Sequence, residues 1–542
     1  MYPAIIFCVS FLLYAKTIGF DFSYFDDNLI IINNTTLFEG SIDIQKIFTT
    51  DAYWNKSGIL YRPLQNLSFA IDTQLAGGIH PWIFHSTNVL LFTLLVCSLF
   101  FLFRRFNIPD KISFIGTLLF VVHPIFTLSV SWIPARGDLL MALFSILSML
   151  FFIDFVKRRK YYQMLLSALF FVLALFSKET AALLPFAFLL YFFCFQEKPK
   201  IEKKHVIFGI ILLFGGVLWL FLRSLSINAP GTEFGLRFLL NIPAALSQLV
   251  IFPVDFSPMP LFTAVKTVTG SLLLIFLLYL VCRKDEIPKK EKLFYFLWFI
   301  LLLSPVFLNS NQFPDLDYLE HRFLLPMVGV FTLLLTAFPQ KWMNSKITIP
   351  ILVIGFAALS AVSFTKSNVY KNPEIFYGTA IKYDKGRAIA YNNRGVYRRD
   401  INNIQGALDD FSYSIFYNNG NRANKAFFNR GVIKFNMGDL TGALSDFDDA
   451  IKLDNANVEA YANRAGIKFS MGNFYDALDD VNTALKIKPN NVTVYYNRAL
   501  LYRELGDIEK ALQDCNRILK IDPRNRWAIQ LKNILLTEQQ QE

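Results

Sequence analysis

Apolar runs separated by short polar breaks fill the first 370 residues; beyond about residue 385 the pattern gives way to amphipathic segments at a fixed spacing. The runs are Tyr2–Tyr14 and about 83–103, 112–130, 138–156, 161–177, 179–195, 206–222, 268–282, 293–309, 321–338 and 347–364. A straight helix needs roughly 20 apolar residues to cross a bilayer, and several runs sit near or below that length. The stretch 239–254 holds Asn241, Pro243 and Gln248. It reads either as a surface or re-entrant helix or as a further span. The pattern predicts an all-α chain. A polytopic transmembrane helical domain of about 11 spans covers 1–370, a linker 371–387, and a helical repeat array 388–542.

The repeats are defined by position. Asn393-Arg394-Gly395, Asn429-Arg430-Gly431, Asn463-Arg464-Ala465 and Asn497-Arg498-Ala499 recur at spacings of 36, 34 and 34. Twelve residues after each Gly or Ala, Ala407, Ala443, Ala477 and Ala511 each begin Ala-Leu-x-Asp. A 34-residue period with small residues where helices touch is the mark of the tetratricopeptide repeat, an α-solenoid of helix pairs. Four copies are expected, with a capping helix from Asn525. Gly438, Gly472 and Gly506 fall at the inter-helix turns, where the first copy has Asn402. Tyr391, Phe427, Tyr461 and Tyr495 are read as repeat core.

Composition divides the same way. Residues 380–542 carry 23 of the 53 basic and 20 of the 42 acidic side chains, the charge density of a water-soluble domain. Upstream, the basic residues gather in loops around 104–111, 157–160, 198–204, 283–292 and 341–346. The positive-inside rule places these in the cytoplasm if 239–254 does not cross. The N-terminus is then inside and the repeats outside. Charge at helix ends fits a membrane chain better than nucleic-acid binding. The five cysteines show no metal or disulfide spacing and are expected to be buried apolar thiols.

Candidate chemistry lies at the outer ends of the apolar helices. The groups are Phe25-Asp26-Asp27-Asn28, Tyr61-Arg62-Pro63-Leu64, Phe84-His85-Ser86-Thr87-Asn88, His123-Pro124, Ala135-Arg136-Gly137-Asp138, Ser177-Lys178-Glu179 and Glu320-His321-Arg322. Ionisable residues at membrane depth are costly, which makes them candidates for function. Asp26 and Asp27 stand in the first outside loop, about 19–81. A carboxylate there can take the proton of an attacking hydroxyl. Of two adjacent carboxylates one is expected to act as base, Asp27 in first place, and the other to orient or bind metal. Arg62, Arg136, Lys178 and Arg322 can meet a phosphate leaving group. His85, His123, Asp138, Glu179 and Glu320 are supporting candidates; Arg136 with Asp138 and Lys178 with Glu179 also read as local ion pairs. Mg²⁺ or Mn²⁺ would suit the aspartates, but two adjacent carboxylates do not define a metal site.

The order Phe-Asp-Asp-Asn, Tyr-Arg-Pro-Leu, Phe-His-x-x-Asn, His-Pro, Arg-x-Asp, Lys-Glu and Glu-His-Arg-Phe-Leu-Leu-Pro, followed by the repeats, resembles the transmembrane and tetratricopeptide-repeat O-mannosyltransferase family and its bacterial relatives. The resemblance implies a GT-C-like membrane domain and a sugar donor carried on a polyprenyl phosphate, with mannose the first choice of sugar. It implies transfer to a protein Ser or Thr hydroxyl outside the cytoplasm, with catalytic acids in the first outside loop. The expected partners are the donor, membrane lipid and a protein acceptor bound by the repeats. The expected location is a bacterial inner membrane, or the endoplasmic reticulum in a eukaryote. The departure is Glu320-His321-Arg322, where the family more often has Glu and Arg adjacent. The alternative is a non-enzymatic, membrane-anchored repeat scaffold, for which so many helices would be more than an anchor needs.

Overall fold

The computed structural model describes residues 1–34, 42–54, 60–227, 257–258, 264–308, 320–339, 347–418 and 423–540. The ambiguous stretch 239–254 lies outside them. All regular secondary structure among the described residues is helical. The chain divides into two units, Met1–Thr379 and Ala380–Glu542. The division falls inside the expected linker, which contains the helix Pro373–Tyr383. Phe376 and Tyr377 are fully buried and pack on the first unit: Phe376 lies 5.5 Å from the Phe25 ring, and the Tyr377 hydroxyl donates to the Tyr24 carbonyl.

Over their described residues the apolar runs of the first unit fold mainly as helices, some of them interrupted, and not every helix is a full span. Among the described residues six helices are long and apolar enough to cross a membrane: Tyr2–Gly19, Pro81–Arg105, Ile133–Arg158, Lys203–Ser226, Val265–Cys282 and Thr348–Tyr370. A seventh candidate is the pair Asp110–Val122 and Pro124–Ser131, bent by 53°. Pro124 explains the bend, because it lacks the N–H that would continue the helix. Tyr161–Ser177, Glu179–Phe195 and Met327–Ala337 are shorter apolar helices.

Small and hydroxyl side chains set the close contacts. Ser148 and Ser167 each donate to the other's carbonyl, joining the Arg136–Arg158 and Tyr161–Ser177 helices at 2.7 and 2.9 Å. Without a hydrophobic driving force in lipid, such contacts hold helices together. Of the five cysteines only Cys515 is buried. Cys8 and Cys282 are exposed and Cys97 and Cys194 partly so, which corrects the expectation of buried thiols.

The described part of the stretch from 19 to 81 folds into a small core of its own. Short helices Asp27–Ile30 and Ile44–Thr49 and the longer Pro63–Ala76 enclose Phe22, Ile30, Ile31, Ile47, Trp54 and Phe69. Trp54 Nε1 donates to the Ile30 carbonyl at 2.9 Å and the Tyr61 hydroxyl to the Phe48 carbonyl at 3.0 Å. Phe84 and Ile133, at the ends of two spanning helices, complete this core and fix the loop on the membrane unit.

The second unit is four helix pairs from Ala388–Asp400 to Ile508–Ile521, followed by Arg526–Gln539. Gly438, Gly472 and Gly506 take positive φ at the turns, and Asn402 takes the same left-handed conformation at φ 62°. Asparagine tolerates that region better than most residues, which accounts for the exchange. Each Asn-Arg arginine grips the Ala-Leu-x-Asp aspartate 16 residues later: Arg394–Asp410, Arg430–Asp446, Arg464–Asp480 and Arg498–Asp514. Both oxygens of each aspartate are engaged. Each guanidinium also covers the aromatic ring three residues earlier, at 5.4–5.7 Å. The helix-pair contact is matched in size. A Cβ at Gly395 would come 2.8 Å from the Phe411 ring and one at Gly431 would come 3.0 Å from the Phe447 ring, whereas Ala465 and Ala499 share their cores with the smaller Val481 and Cys515.

Candidate functional site

A cavity of about 330 Å³ opens where the first loop meets the ends of the membrane helices. It brings Asp26, Arg62, Asp138, Lys178, Glu179, His321 and Arg322 together from five separate stretches of chain.

Asp26 enters on a constrained turn. Its φ is 141°, outside the region a non-glycine residue prefers, and Tyr24 before it has φ 59°. Such conformations persist only where surrounding structure enforces them, and they concentrate at functional sites. Asp27 begins the following short helix and turns inward. Its carboxylate accepts from the Ser23 amide at 2.6 Å and the Ser23 hydroxyl at 2.5 Å. The sequence ranks Asp27 first as base, but it is Asp26 that lines the cavity, while Asp27 is buried and tied to Ser23.

Electrostatics set the pair apart from ordinary aspartates. Burial raises the Asp26 carboxyl to about 7; the Asp27 charge adds to the rise and Arg62 opposes it. Burial raises Asp27 to about 6, against the hydrogen bonds from Ser23. A carboxylate titrating near neutrality can both accept and return a proton under physiological conditions.

The cations reach the cavity through crossed partners. Arg62, just ahead of the Pro63–Ala76 helix, meets Glu179 with two hydrogen bonds of 3.2 and 2.9 Å. Lys178 meets both oxygens of Asp138 at 2.7 and 2.8 Å, and His321 Nε2 lies 3.8 Å from the same carboxylate. Lys178 is extended, at φ −161° and ψ 140°, between the Tyr161–Ser177 helix and the helical turn that follows. In extended chain successive side chains point to opposite sides. Lys178 and Glu179 therefore find different partners rather than each other. Arg322 lines the cavity from a short helical turn, Glu320–Phe323.

The other sequence candidates lie elsewhere. Arg136 is fully buried: it pairs with Asp72, donates to Asn88 Oδ1 at 2.8 Å and the Phe84 carbonyl at 2.6 Å, and stacks 4.6 Å from the Phe69 ring. It joins two helices to the loop and does not line the cavity. His85 is within 3.4 Å of the Asp21 carbonyl, and His123 Nδ1 accepts from the Ile125 amide at the Pro124 bend. Glu320 is bound by Lys366 at 2.8 and 2.9 Å. Among the described residues no three His, Cys, Asp or Glu side chains gather as metal ligands.

Sequence reasoning passed over Gln65, Trp132 and Thr180, which also line the cavity. Gln65 lies one turn into the helix that Arg62-Pro63 begins, and Trp132 four residues before Arg136. Neither residue type announces a site without its surroundings. A second, apolar groove of about 550 Å³ starts close by. Ala182, Pro185, Phe188, Phe192, Leu212 and Trp219 are among its walls.

Residues 63–222 match the family model described as dolichyl-phosphate-mannose-protein mannosyltransferase, and residues 425–457 and 492–525 match tetratricopeptide-repeat models. Protein O-mannosyl-transferase TMTC4 of Mus musculus is 35% identical over 161 residues, 26% of this chain and 21% of that protein. Protein O-mannosyl-transferase TMTC2 of Homo sapiens is 36% identical over 156 residues, 28% of this chain and 18% of that protein. The chain thus spans about a fifth of the length of the curated relatives it matches. A crystal structure of MamA protein covers 30% of this chain and 86% of its own at 19% identity and a TM-score of 0.26. The Arabidopsis OM64 TPR domain covers 22% and 98% at 25% identity and 0.21. Those two scores are too low to carry an argument. The matches make the chain similar to protein O-mannosyl-transferases over its membrane-helix segment and to tetratricopeptide repeats over part of its C-terminal unit. The matched membrane segment holds Gln65, Trp132, Asp138, Lys178 and Glu179, while Asp26, Arg62, His321 and Arg322 lie outside it.

Proposed function

We propose that this chain is an integral-membrane glycosyltransferase that moves a sugar, mannose in first place, from a polyprenyl-phosphate donor to a Ser or Thr hydroxyl of a protein. The observation that carries the reading is Asp26, held on a strained turn and titrating near neutrality, in one cavity with Arg62, Lys178 and Arg322. The acceptor hydroxyl oxygen attacks the anomeric carbon. The bond from that carbon to the phosphate oxygen breaks, its electron pair leaves with the phosphate, and the hydroxyl proton passes to Asp26. Arg62, Lys178 and Arg322 offset the charge on the departing phosphate. Asp27 holds the turn through Ser23.

The apolar groove supports a lipid-linked donor. Its Ala182 and Pro185 walls follow Glu179 and Thr180 of the cavity along one helical segment, which Lys178 immediately precedes. A phosphate beside Lys178 would leave its polyprenyl chain next to that groove. The basic-loop pattern supports a site and repeats on the non-cytoplasmic side, in a bacterial inner membrane or its eukaryotic counterpart. The repeats then hold the protein acceptor near the cavity by raising its local concentration.

The test uses full-length protein in lipid nanodiscs with polyprenyl-phosphate mannose and a Ser/Thr-rich protein acceptor. Transfer is expected, falling as pH drops below about 7, because Asp26 is then protonated and cannot act as base. A protein that binds acceptor but neither transfers nor hydrolyses the donor's sugar at any pH would leave the scaffold reading in place.

A further inference from the structure

The cavity holds more polar atoms than proton transfer and phosphate binding use. Gln65 is fully buried, and neither its Oε1 nor its Nε2 has a partner. Trp132 Nε1, Thr180 Oγ1 and His321 Nδ1 are also buried and unpaired, and all four residues line the same space. Buried polar groups in folded proteins are almost always hydrogen-bonded, so a cluster of unpaired ones marks a place where something polar binds. The set contains the donors and acceptors of an amide, the single donor of an indole and a hydroxyl. That mixture matches a ring of hydroxyl groups, each of which donates and accepts, better than it matches a phosphate, which only accepts at neutral pH.

The walls suit a sugar in shape as well. The Trp132 and His321 rings lie 5.3 Å apart and tilted by 52°, forming an apolar flank beside the polar atoms. A hexose presents C–H groups on its faces and hydroxyls at its edge, so it can lie against rings while its edge meets Gln65 and Thr180. Gly137 has a part in this. A Cβ there would strike Gln65 Oε1, so the glycine between Arg136 and Asp138 gives the amide its room.

We propose that Gln65, Trp132, Thr180 and His321 form the sugar-reading wall of the cavity, which recognises the hexosyl head group of the donor through its hydroxyls and separately from the phosphate. This rests on the lipid-phosphate donor reading above. Arg62, Lys178 and Arg322 hold the phosphate; the wall decides which sugar accompanies it. Gln65 is in this sense a specificity-determining residue, and Gly137 acts through it as a positioning residue.

The experiment measures equilibrium binding of two ligands, polyprenyl-phosphate mannose and bare polyprenyl phosphate, to full-length protein in nanodiscs. Wild-type protein is expected to prefer the mannosylated lipid. Gln65→Leu and, independently, Thr180→Val should reduce that preference, Gln65→Leu by about tenfold or more, because each hydrogen bond lost to a hydroxyl weakens only the sugar-bearing ligand. Affinity for the bare lipid should stay within about twofold. Gly137→Ala should act in the same direction by displacing the amide. The melting midpoint of ligand-free Gln65→Leu should not fall, since the amide has no partner to lose; a residue with a purely structural role would lower it. An unchanged preference in both Gln65→Leu and Thr180→Val would overturn the proposal, as would an equal loss of both ligands. Wild-type protein that binds neither lipid would overturn the donor reading itself, and this proposal with it. A wild type that binds both equally would leave the donor reading standing and remove only the sugar wall.

Discussion

In the repeats each Asn-Arg arginine finds its aspartate 16 residues downstream, four times over, with the same two-point geometry. In the membrane unit Arg136 reaches back 64 residues to Asp72 and Arg62 forward 117 residues to Glu179. The first arrangement is local and repeated, and every aspartate in it is engaged at both oxygens. The second ties distant helices and one loop together, and Asp26 shares a cavity with one of its pairs, Arg62–Glu179, on a strained turn. The repeat carboxylates, each gripped by the arginine of its own copy, tie the two helices of that copy together. A carboxylate that burial pushes toward neutrality, with opposing charge at a distance, is left able to exchange a proton.

The largest effect expected from this contrast is on activity. Asp26→Asn should lower transfer by about 10²–10⁴-fold, the usual loss on removing a general base. The same change should stabilise the fold above pH 7. The folded-state pKa of Asp26 is raised, so ionising it opposes folding, and stability declines as pH rises from the unfolded carboxylate range to about 7. A melting midpoint higher than wild type at pH 8 and equal to it near pH 3 is the signature. An equal loss of stability at both would make Asp26 structural, like the repeat aspartates.

Arg136→Ala comes next. It strands buried Asp72 and should cost about 3–5 kcal/mol, read as lost yield of detergent-stable protein. Recovery of folded protein in Arg136→Ala with Asp72→Asn would show the stranded charge to be the cause. A stable single variant with reduced donor binding would instead return Arg136 to the phosphate-binding set. Smaller still is Arg464→Ala. Its guanidinium is more open to solvent, so about 1–3 kcal/mol is expected, confined to the neighbouring repeats because each repeat contacts mainly its neighbours. Hydrogen exchange should rise around Asp480 while donor hydrolysis by the membrane unit stays unchanged.

What could be read from the sequence follows the same division. The repeats are legible because their contacts recur at one period, and even the Arg–Asp ladder is implicit in the two motifs, Asn-Arg and Ala-Leu-x-Asp, at constant spacing. The apolar helices were legible from run length, though Pro124 and the short helices kept run count from becoming span count. The site was legible only as a set of polar helix ends. That Lys178 would choose Asp138 over Glu179, that Asp26 rather than Asp27 would face the cavity, and that Gln65 would be left unpaired depend on long-range packing and on a single turn. No local pattern encodes those.

The size matching between small residues and their opposing side chains divides the four repeats into two dialects. The first two copies pair glycine with phenylalanine, and the last two pair alanine with valine or cysteine. A whole copy can be duplicated or lost without disturbing its internal fit, but a recombination joint between the two helices of a copy cannot be placed freely. Joining a first helix from the late copies to a second helix from the early ones sets a methyl against a phenyl ring, and the reciprocal joint leaves a void. The array can therefore lengthen by gain of complete units, while mosaic units face a packing barrier that would keep the two kinds of repeat distinct as the array grows.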